Sequence, residues 1–351
     1  MNTTNTSNPL DSLAVQYGNL SFFCGSDGFD SPQSWLVKDF FPTSSFGVIY
    51  GKSSSLKSFL AIDIAYHIAT GARWQGNLVN DGIVVYVAAE GQQGISRRIK
   101  AVENVHGNKA QNIKVHPKSV HLAEKNSRLE FIESLKDMEH RENTKIKLIV
   151  IDTLSRCFTG DENQALAMQD FVRGCDKVRN EIDASIMCIH HTGKDETKGS
   201  RGSSVLIGAC DYEFQLKRNG KTKLSTFINN KQKDAEVTPD YSFEFETVDL
   251  GIVCEENEPI TSLAIVNPAM VKNHTAGKSN PVLTALSEVF GGRCTREELR
   301  MECFPPQKNI KKNTLDTRYK RALDDLRNEG LITINQLGSR GHADDEITIV
   351  H

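Results

Sequence analysis

Four short apolar runs, at residues 46–50, 83–88, 147–151 and 184–189, read as strands, and each ends at polar residues. Between them lie amphipathic stretches long enough to be helices. From about residue 35 to 266 this alternation is the pattern of a parallel sheet covered by helices. Open sheets of that kind bind ligands beyond the carboxyl ends of their strands. The polar residues that follow the apolar runs are therefore where chemistry is to be sought.

The first run leads into Gly51-Lys52-Ser53-Ser54-Ser55-Leu56-Lys57-Ser58. A helix follows over residues 57–70, with Leu60, Ile64 and Ile68 on one face and Gly71 as its left-handed stop. A strand-loop-helix of this composition suits a phosphate, which needs backbone N–H groups, a helix N-terminus, a lysine and a hydroxyl for magnesium. Only one register fits. With Lys52 as the phosphate lysine the opening glycine would fall at Phe46 and the helix would begin too late, whereas Lys57 with Ser58 fits. The candidate nucleotide-binding set is Gly51, Ser53, Ser54, Ser55, Leu56, Lys57, Ser58 and Phe59, with ATP and Mg2+ as the ligands. Leu56 departs from the pattern G-x-x-x-x-G-K-[ST], because it stands where a second glycine supplies backbone freedom. Taken by itself, the octapeptide also reads as a serine-rich turn with chance lysines.

The third run ends at Asp152, as an acid held near magnesium would, and Ser58 with Asp152 forms the candidate metal set. An aspartate that merely caps the next turn is the plainer alternative. Thr153, not a glutamate, follows it, so a base for water must come from elsewhere. Glu90, after the second run in V-V-Y-V-A-A-E-G, belongs at the same sheet edge. The fourth run enters His190-His191-Thr192-Gly193-Lys194, where a histidine can bond a γ-phosphate and report its loss. A metal pair there is disfavoured, since adjacent strand residues point to opposite faces.

In their order, G-K-S-S-S-L-K-S, V-A-A-E-G, L-I-V-I-D-T-L-S-R, H-H-T-G-K and R-G-S-S-V-L-I-G-A-C-D, followed by K-Q-K-D-A, resemble the RepA-type and DnaB-type hexameric replicative helicases of plasmids and phages. These are RecA-like P-loop ATPases, and the resemblance covers residues 35–266. It implies Lys57 and Ser58 on phosphate and magnesium, Glu90 as catalytic base, Asp152 as the Walker B acid and His190, ahead of His191, as sensor. Arg201, Lys231 and Lys233 are then groups presented to a neighbour's nucleotide, which implies a self-assembled ring, a hexamer in this family. The loop 192–202 with Lys194, Lys198 and Arg201 is expected to face single-stranded DNA through its phosphates. A replication initiator or primase is a further expected partner.

After residue 201 the texture becomes antiparallel, with runs 212–217 and 221–228 around an Asn219-Gly220 turn. The expected fold is α/β: a RecA-like P-loop NTPase core with a mostly parallel central sheet and an antiparallel extension, plus a small C-terminal winged-helix domain. The expected division is a polar N-terminal segment (1–30), the ATPase core (31–266), a linker (267–280) and the winged-helix-like domain (281–351). That last domain reads as helices 281–290, 295–303 and 314–328, then a two-stranded wing of 331–335 and 346–350. Arg318, Lys320 and Arg321 on its third helix are candidate DNA contacts, with Arg340 in the wing. Acidic Asp324, Asp325, Glu329, Asp344, Asp345 and Glu346 oppose them, so docking on a protein is an equal reading.

A formal charge of −3 requires any nucleic-acid contact to come from local basic loops. The polar start MNTTNTSNPL and the lack of a long apolar run point to the cytoplasm and away from a membrane. Eight scattered cysteines form no Cys-x-x-Cys pair and read as reduced thiols. Three functions compete: an ATP-driven helicase or single-strand translocase for a mobile element; a recombination or regulatory ATPase that binds DNA without unwinding it; and a winged-helix DNA binder with a weakly hydrolysing core.

Overall fold

Runs of Ile, Val and aromatic residues with no polar alternation demand cover on both sides, and the chain supplies it. The computed structural model describes residues 14–350 except 91, 193–203, 221, 234, 268–269, 273–280, 306–311, 329, 336 and 338–341. Lys194, Lys198, Arg201 and Arg340 lie outside the described residues. The chain forms two compact units, Met1–Val271 and Lys272–His351.

The first unit opens with two small antiparallel pairs, β1 (Val15–Tyr17) with β2 (Leu20–Phe22) and β3 (Trp35–Val37) with β4 (Phe41–Pro42). The main elements follow: β5 (Phe46–Gly51), α1 (Lys57–Thr70), β6 (Ile83–Ala88), α2 (Gln92–His106), β7 (Ile113–His116), α3 (Lys125–Glu142), β8 (Ile146–Asp152), α4 (Leu154–Cys157), α5 (Ala165–Ile182), β9 (Ser185–His191) and α6 (Ser204–Ala209). The unit ends with β10 (Tyr212–Arg218), β11 (Leu224–Gln232), β12 (Asp240–Val253), β13 (Pro259–Ile265) and β14 (Met270–Lys272). Ten strands make one sheet in the order β13-β12-β11-β10-β5-β9-β8-β6-β7, with β14 added on β12. The stretch from β10 to β7 is parallel, and β11, β12 and β13 extend it antiparallel.

Residue parity decides which layer each side chain joins. Ile49, Val84, Tyr86, Ala88, Leu148, Val150, Met187 and Ile189 pack with Leu60, Ile64 and Ile68 of α1 and Ala101 and Val102 of α2. Their neighbours Val48, Val85, Val87, Ile149, Ile151, Ile186 and Cys188 pack on the other face with Phe131 and Leu135 of α3 and Phe171 and Val178 of α5. The result is three layers, helix on sheet on helix. Each fully buried aliphatic side chain contributes about 1.5–3 kcal/mol, so both faces hold the strand ends firmly.

Two segments depart from the sequence expectation. Residues 1–30 were expected to be plain polar chain, yet Gly18-Asn19 closes the β1–β2 hairpin, with Gly18 at φ 62°. A two-residue Gly-Asn loop is itself a hairpin signal. The expected linker 267–280 begins with β14, because the edge of β12 offers free backbone groups that Met270–Lys272 can pair.

The second unit contains α7 (Pro281–Glu288), β15 (Arg293–Thr295), α8 (Arg296–Cys303), α9 (Lys312–Asn328), β16 (Ile332–Asn335) and β17 (Glu346–Ile349). Its strands form a three-stranded antiparallel sheet in the order β15-β17-β16, one strand more than the expected pair. Val282, Leu286, Leu299, Tyr319, Leu323, Leu326, Ile332 and Ile347 form its core. Thr295 caps α8 in a reciprocal pair with Glu298. The acids of the last turn do not oppose phosphate as a block. Asp345 is buried, accepts from the Leu337 and His342 N–H groups at 2.9 Å and pairs with Arg296 at 3.1 Å, while Glu346 pairs with Arg293. Among the described residues no helix is long and apolar enough to cross a membrane, and the eight cysteines are free thiols.

Candidate functional site

The strand-to-helix turn after β5 is shaped by what its positions exclude. A Cβ at Gly51 would stand 2.3 Å from the Leu216 carbonyl oxygen and 2.8 Å from Ser55 Oγ, so glycine is the residue that fits there. Leu56, where the phosphate-loop pattern has glycine, has φ 73° and ψ 20°, the left-handed conformation, and is the N-cap of α1. Its side chain is buried in the α1-side core. The backbone thus takes the glycine-like turn although the residue is leucine. Ser54, at φ 65°, is also left-handed.

This turn folds around Lys57. Its Nζ donates to the carbonyl oxygens of Gly51 (2.9 Å) and Lys52 (2.8 Å) and lies 3.4 Å from both Ser55 Oγ and His191 Nδ1. Burial lowers the Lys57 ammonium to about 8, against the opposing pull of Asp152 and Glu90. Lys52 is outward, as the register argument requires.

Across from Lys57, Asp152 ends β8 on the α1 face. Tyr86 donates to its Oδ2 at 2.6 Å and Ser58 also bonds its side chain. Burial pushes the Asp152 carboxyl up, and these two bonds, with the charges of Arg98 and Lys57, pull the other way. Glu90 is exposed at the rim, where it accepts from Thr153 Oγ1 at 3.2 Å and has Arg156 at 3.8 Å. Ser53, Ser54, Leu56, Lys57, Ser58, Phe59, Glu90, Arg98, Asp152 and His191 all line one cleft of about 420 Å³.

The two histidines separate by parity. His191 follows Met187 and Ile189 onto the α1 face and meets Lys57, whereas His190 follows Ile186 and Cys188 and is fully buried. The structure therefore brings His191 into the cleft and not His190, the reverse of the sequence expectation. Burial first, and then the Lys57 charge, lowers His191 from its usual value, so the ring is neutral at pH 7.

Other expected residues lie elsewhere. Lys233 N–H bonds the Asp211 carbonyl and Asp211 N–H bonds that of Phe46, which sets Lys233 at the amino end of β5, away from Gly51. Lys231 Nζ donates to the Ile207 and Gly208 carbonyls at 2.7 and 3.3 Å, and Lys233 Nζ is 3.5 Å from Asp211. Arg318, Lys320 and Arg321 are exposed on α9, whose inward face is Leu315, Tyr319, Leu323 and Leu326.

Tyr86, Arg98 and Thr153 were not anticipated. Tyr86 had a signal, a lone phenol in an aliphatic strand on the parity of Ala88; Arg98, whose guanidinium lies 4.6 Å over the Phe59 ring, had none. A second hollow of about 770 Å³ adjoins the same loop, shared through Ser53 and Ser54 and walled by Thr192, Gln215, Lys217, Arg218 and Asn219. Its hairpin is tied to the loop, since Arg218 donates to the Ser54 carbonyl (3.2 Å) and Ser225 to that of Ser55 (3.3 Å).

A lysine and a hydroxyl at the head of the first helix, facing a strand-end aspartate across a cleft, define a P-loop nucleotide-binding domain. Residues 15–197 match the AAA domain family model (AAA_25), and the chain belongs to that family of AAA-type ATPase domains. No curated protein matches it. Among solved structures, the ATPase domain of a phage helicase aligns with a TM-score of 0.42 and 17% identity over 58% of this chain and 82% of that one.

Proposed function

We propose that this chain is an ATP-dependent DNA helicase or single-strand DNA translocase that acts as a homo-oligomeric ring, a hexamer, in replicating a plasmid, phage or other mobile element. The observation that carries the reading is the meeting of Lys57, Ser58, Asp152, Glu90 and His191 in one cleft at the carboxyl ends of β5, β6, β8 and β9. The order of sequence motifs supports the replicative branch of such ATPases.

In this mechanism the loop 51–56 and the N-terminus of α1 hold the phosphates of ATP, and Lys57 leaves the Gly51 and Lys52 carbonyls for the β/γ-phosphates. Ser58 and Asp152 fit magnesium, since a hydroxyl already bonds a buried carboxylate there; when bound, the ion shields developing phosphate charge. Glu90 takes the proton of the attacking water. Neutral His191 bonds the γ-phosphate and passes its loss to Thr192 and the chain beyond. Arg201, Lys231 and Lys233 act on a neighbour's nucleotide, a role supported by the place of both lysines away from their own phosphate loop. Lys194, Lys198 and Arg201 hold single-stranded DNA through its phosphates.

The second unit acts as a winged helix. The exposed cations of α9 and the internal pairing of Asp345 and Glu346 support DNA over a protein as its partner. The deciding experiment measures single-strand-stimulated ATPase activity beside strand displacement on a forked duplex. Stimulated hydrolysis with displacement supports the helicase. Stimulation without displacement indicates a recombination or regulatory ATPase, and neither indicates a DNA binder with a weakly hydrolysing core.

A further inference from the structure

A buried carboxylate oxygen without a hydrogen bond lies on α1, outside the residues that line the phosphate cleft. Asp63 is 1% exposed and surrounded by the apolar residues of α1. Its Oδ2 accepts from Trp74 Nε1 at 2.8 Å, but its Oδ1 has no hydrogen-bond donor. A carboxylate taken out of water costs several kcal/mol unless a cation or donors compensate it, and buried charges are paired or coordinate metals. No lysine or arginine among the described residues forms an ion pair with Asp63. Two histidines approach it instead: His67, one helical turn along, and His106, the last residue of α2, whose Nε2 is 3.9 Å from Oδ1.

One ligand atom from each of Asp63, His67 and His106 lies within 4.8 Å of the other two. The rings are supported from behind. The Tyr66 ring stacks on His106 at 5.0 Å, and His67 meets His106 edge to face at 4.8 Å. His67 Nδ1 lies 2.8 Å from the Asp63 carbonyl oxygen. With Nδ1 donating that bond, Nε2 is the nitrogen left with a lone pair, and a carbonyl on the far nitrogen is how metal-bound imidazoles are usually fixed.

We propose that Asp63, His67 and His106 form a binding site for a divalent transition ion of the zinc type, distinct from the magnesium position at Ser58 and Asp152. Two imidazoles and one carboxylate are a three-ligand tetrahedral set, with water in the fourth position. Ligands at about 2.0–2.1 Å from zinc stand roughly 3.3–3.4 Å apart, so the three groups close by an ångström or so. His106, whose side chain is 31% exposed, has room to make that movement. The bound ion would neutralise the Asp63 carboxylate and fasten the end of α2 to the middle of α1, the helix that begins with Lys57. The site is a structural clamp rather than a catalytic centre.

The test uses the full chain, stripped with a chelator and kept in millimolar magnesium so that Ser58 and Asp152 are occupied. Zinc should bind at one equivalent and raise the melting temperature in proportion to the logarithm of free zinc. Cobalt(II) should give the visible absorption of a four-coordinate ion. His106→Ala, at a partly exposed position, should lower zinc affinity by about 100-fold or more and abolish the cobalt band. His106→Gln, which keeps the side-chain volume, should do the same. A wild-type protein with no zinc-dependent melting shift overturns the proposal, and so does equal zinc binding by wild type and both variants. If His106 is only a cationic partner of Asp63, its substitution lowers the melting temperature without metal while zinc leaves the wild type unchanged, which also overturns it.

Discussion

The Tyr86 hydroxyl donates a 2.6 Å hydrogen bond to Asp152 Oδ2 from the adjacent strand. β6 and β8 pair so that Ala88 is opposite Asp152, which brings phenol and carboxylate onto the same sheet face. Tyr86→Phe removes a bond that holds the Asp152 carboxyl down against burial. The carboxyl then rises further, less of it is ionised at mildly acidic pH, and the acid limb of the ATPase profile moves to higher pH. Stability in urea should fall by about 1–3 kcal/mol, the cost of a buried acceptor left unpaired. An unmoved acid limb would show that the bond does not tune Asp152.

Lys57, lowered by burial to about 8, gives the site a pH dependence of defined sign. Phosphate favours the ammonium, so nucleotide binding takes up a proton above pH 8. Affinity for a non-hydrolysable ATP analogue should fall about tenfold per pH unit above that point. Calorimetry in buffers of different ionisation heat reads the proton directly. Without nucleotide the sign is opposite: the unfolded chain holds this proton up to about 10.5, so the Lys57 contribution to stability rises from pH 8 towards 10.5. Lys57→Ala should abolish binding or hydrolysis, and Lys52→Ala should have a mild effect.

Glu90→Gln should keep ATP affinity within a few-fold and lose turnover by about 10²–10⁴-fold, the usual contribution of a general base. Single-turnover kinetics with a separate binding measurement checks it. Normal turnover would transfer the base to another group.

The histidine pair offers an internal control. His191→Asn should lower hydrolysis and its stimulation by DNA with little change in melting temperature, because the ring is half-buried beside Lys57. His190→Asn, at a fully buried position, should lower the melting temperature while the folded fraction hydrolyses normally. The opposite pattern would restore His190 as the sensor.

Lys231→Ala or Lys233→Ala should bind ATP yet hydrolyse slowly, since a cation on the transferring phosphate stabilises transition-state charge. Mixed with Lys57→Ala protein, either should regain part of the activity at shared interfaces. No rescue despite demonstrated subunit mixing would argue against completion in trans.

Much of this site was readable in the chain. The register of Lys57 and Ser58 followed from helix length, and the strand ends at Glu90 and Asp152 followed from where the apolar runs stop. The choice between His190 and His191 was also readable in principle, because counting parity from Ile186 assigns each ring to a face. Asp152 shares the face of Leu148 and Val150, so the same count matches it with His191. Arg98 was not readable, because its place depends on how α2 packs over Phe59 and no local rule carries that. The internal pairing of Asp345 and Glu346 was hidden for a similar reason. A run of three acids looks like a negative surface until the partners Arg296 and Arg293, about 50 residues away in sequence, are folded against it.

Leu56 anchors the turn that precedes Lys57 by burying its own side chain. A leucine held at positive φ pays about 1–2 kcal/mol in backbone strain, and core contact offsets it. With glycine at that position nothing would fasten the turn to the sheet, and an incoming ligand would have to still it. Here that ordering is completed during folding, so less conformational entropy remains to be lost when ligand arrives. The same anchorage limits how far the turn can open afterwards, which directs any slow step in the cycle towards departure of the spent nucleotide.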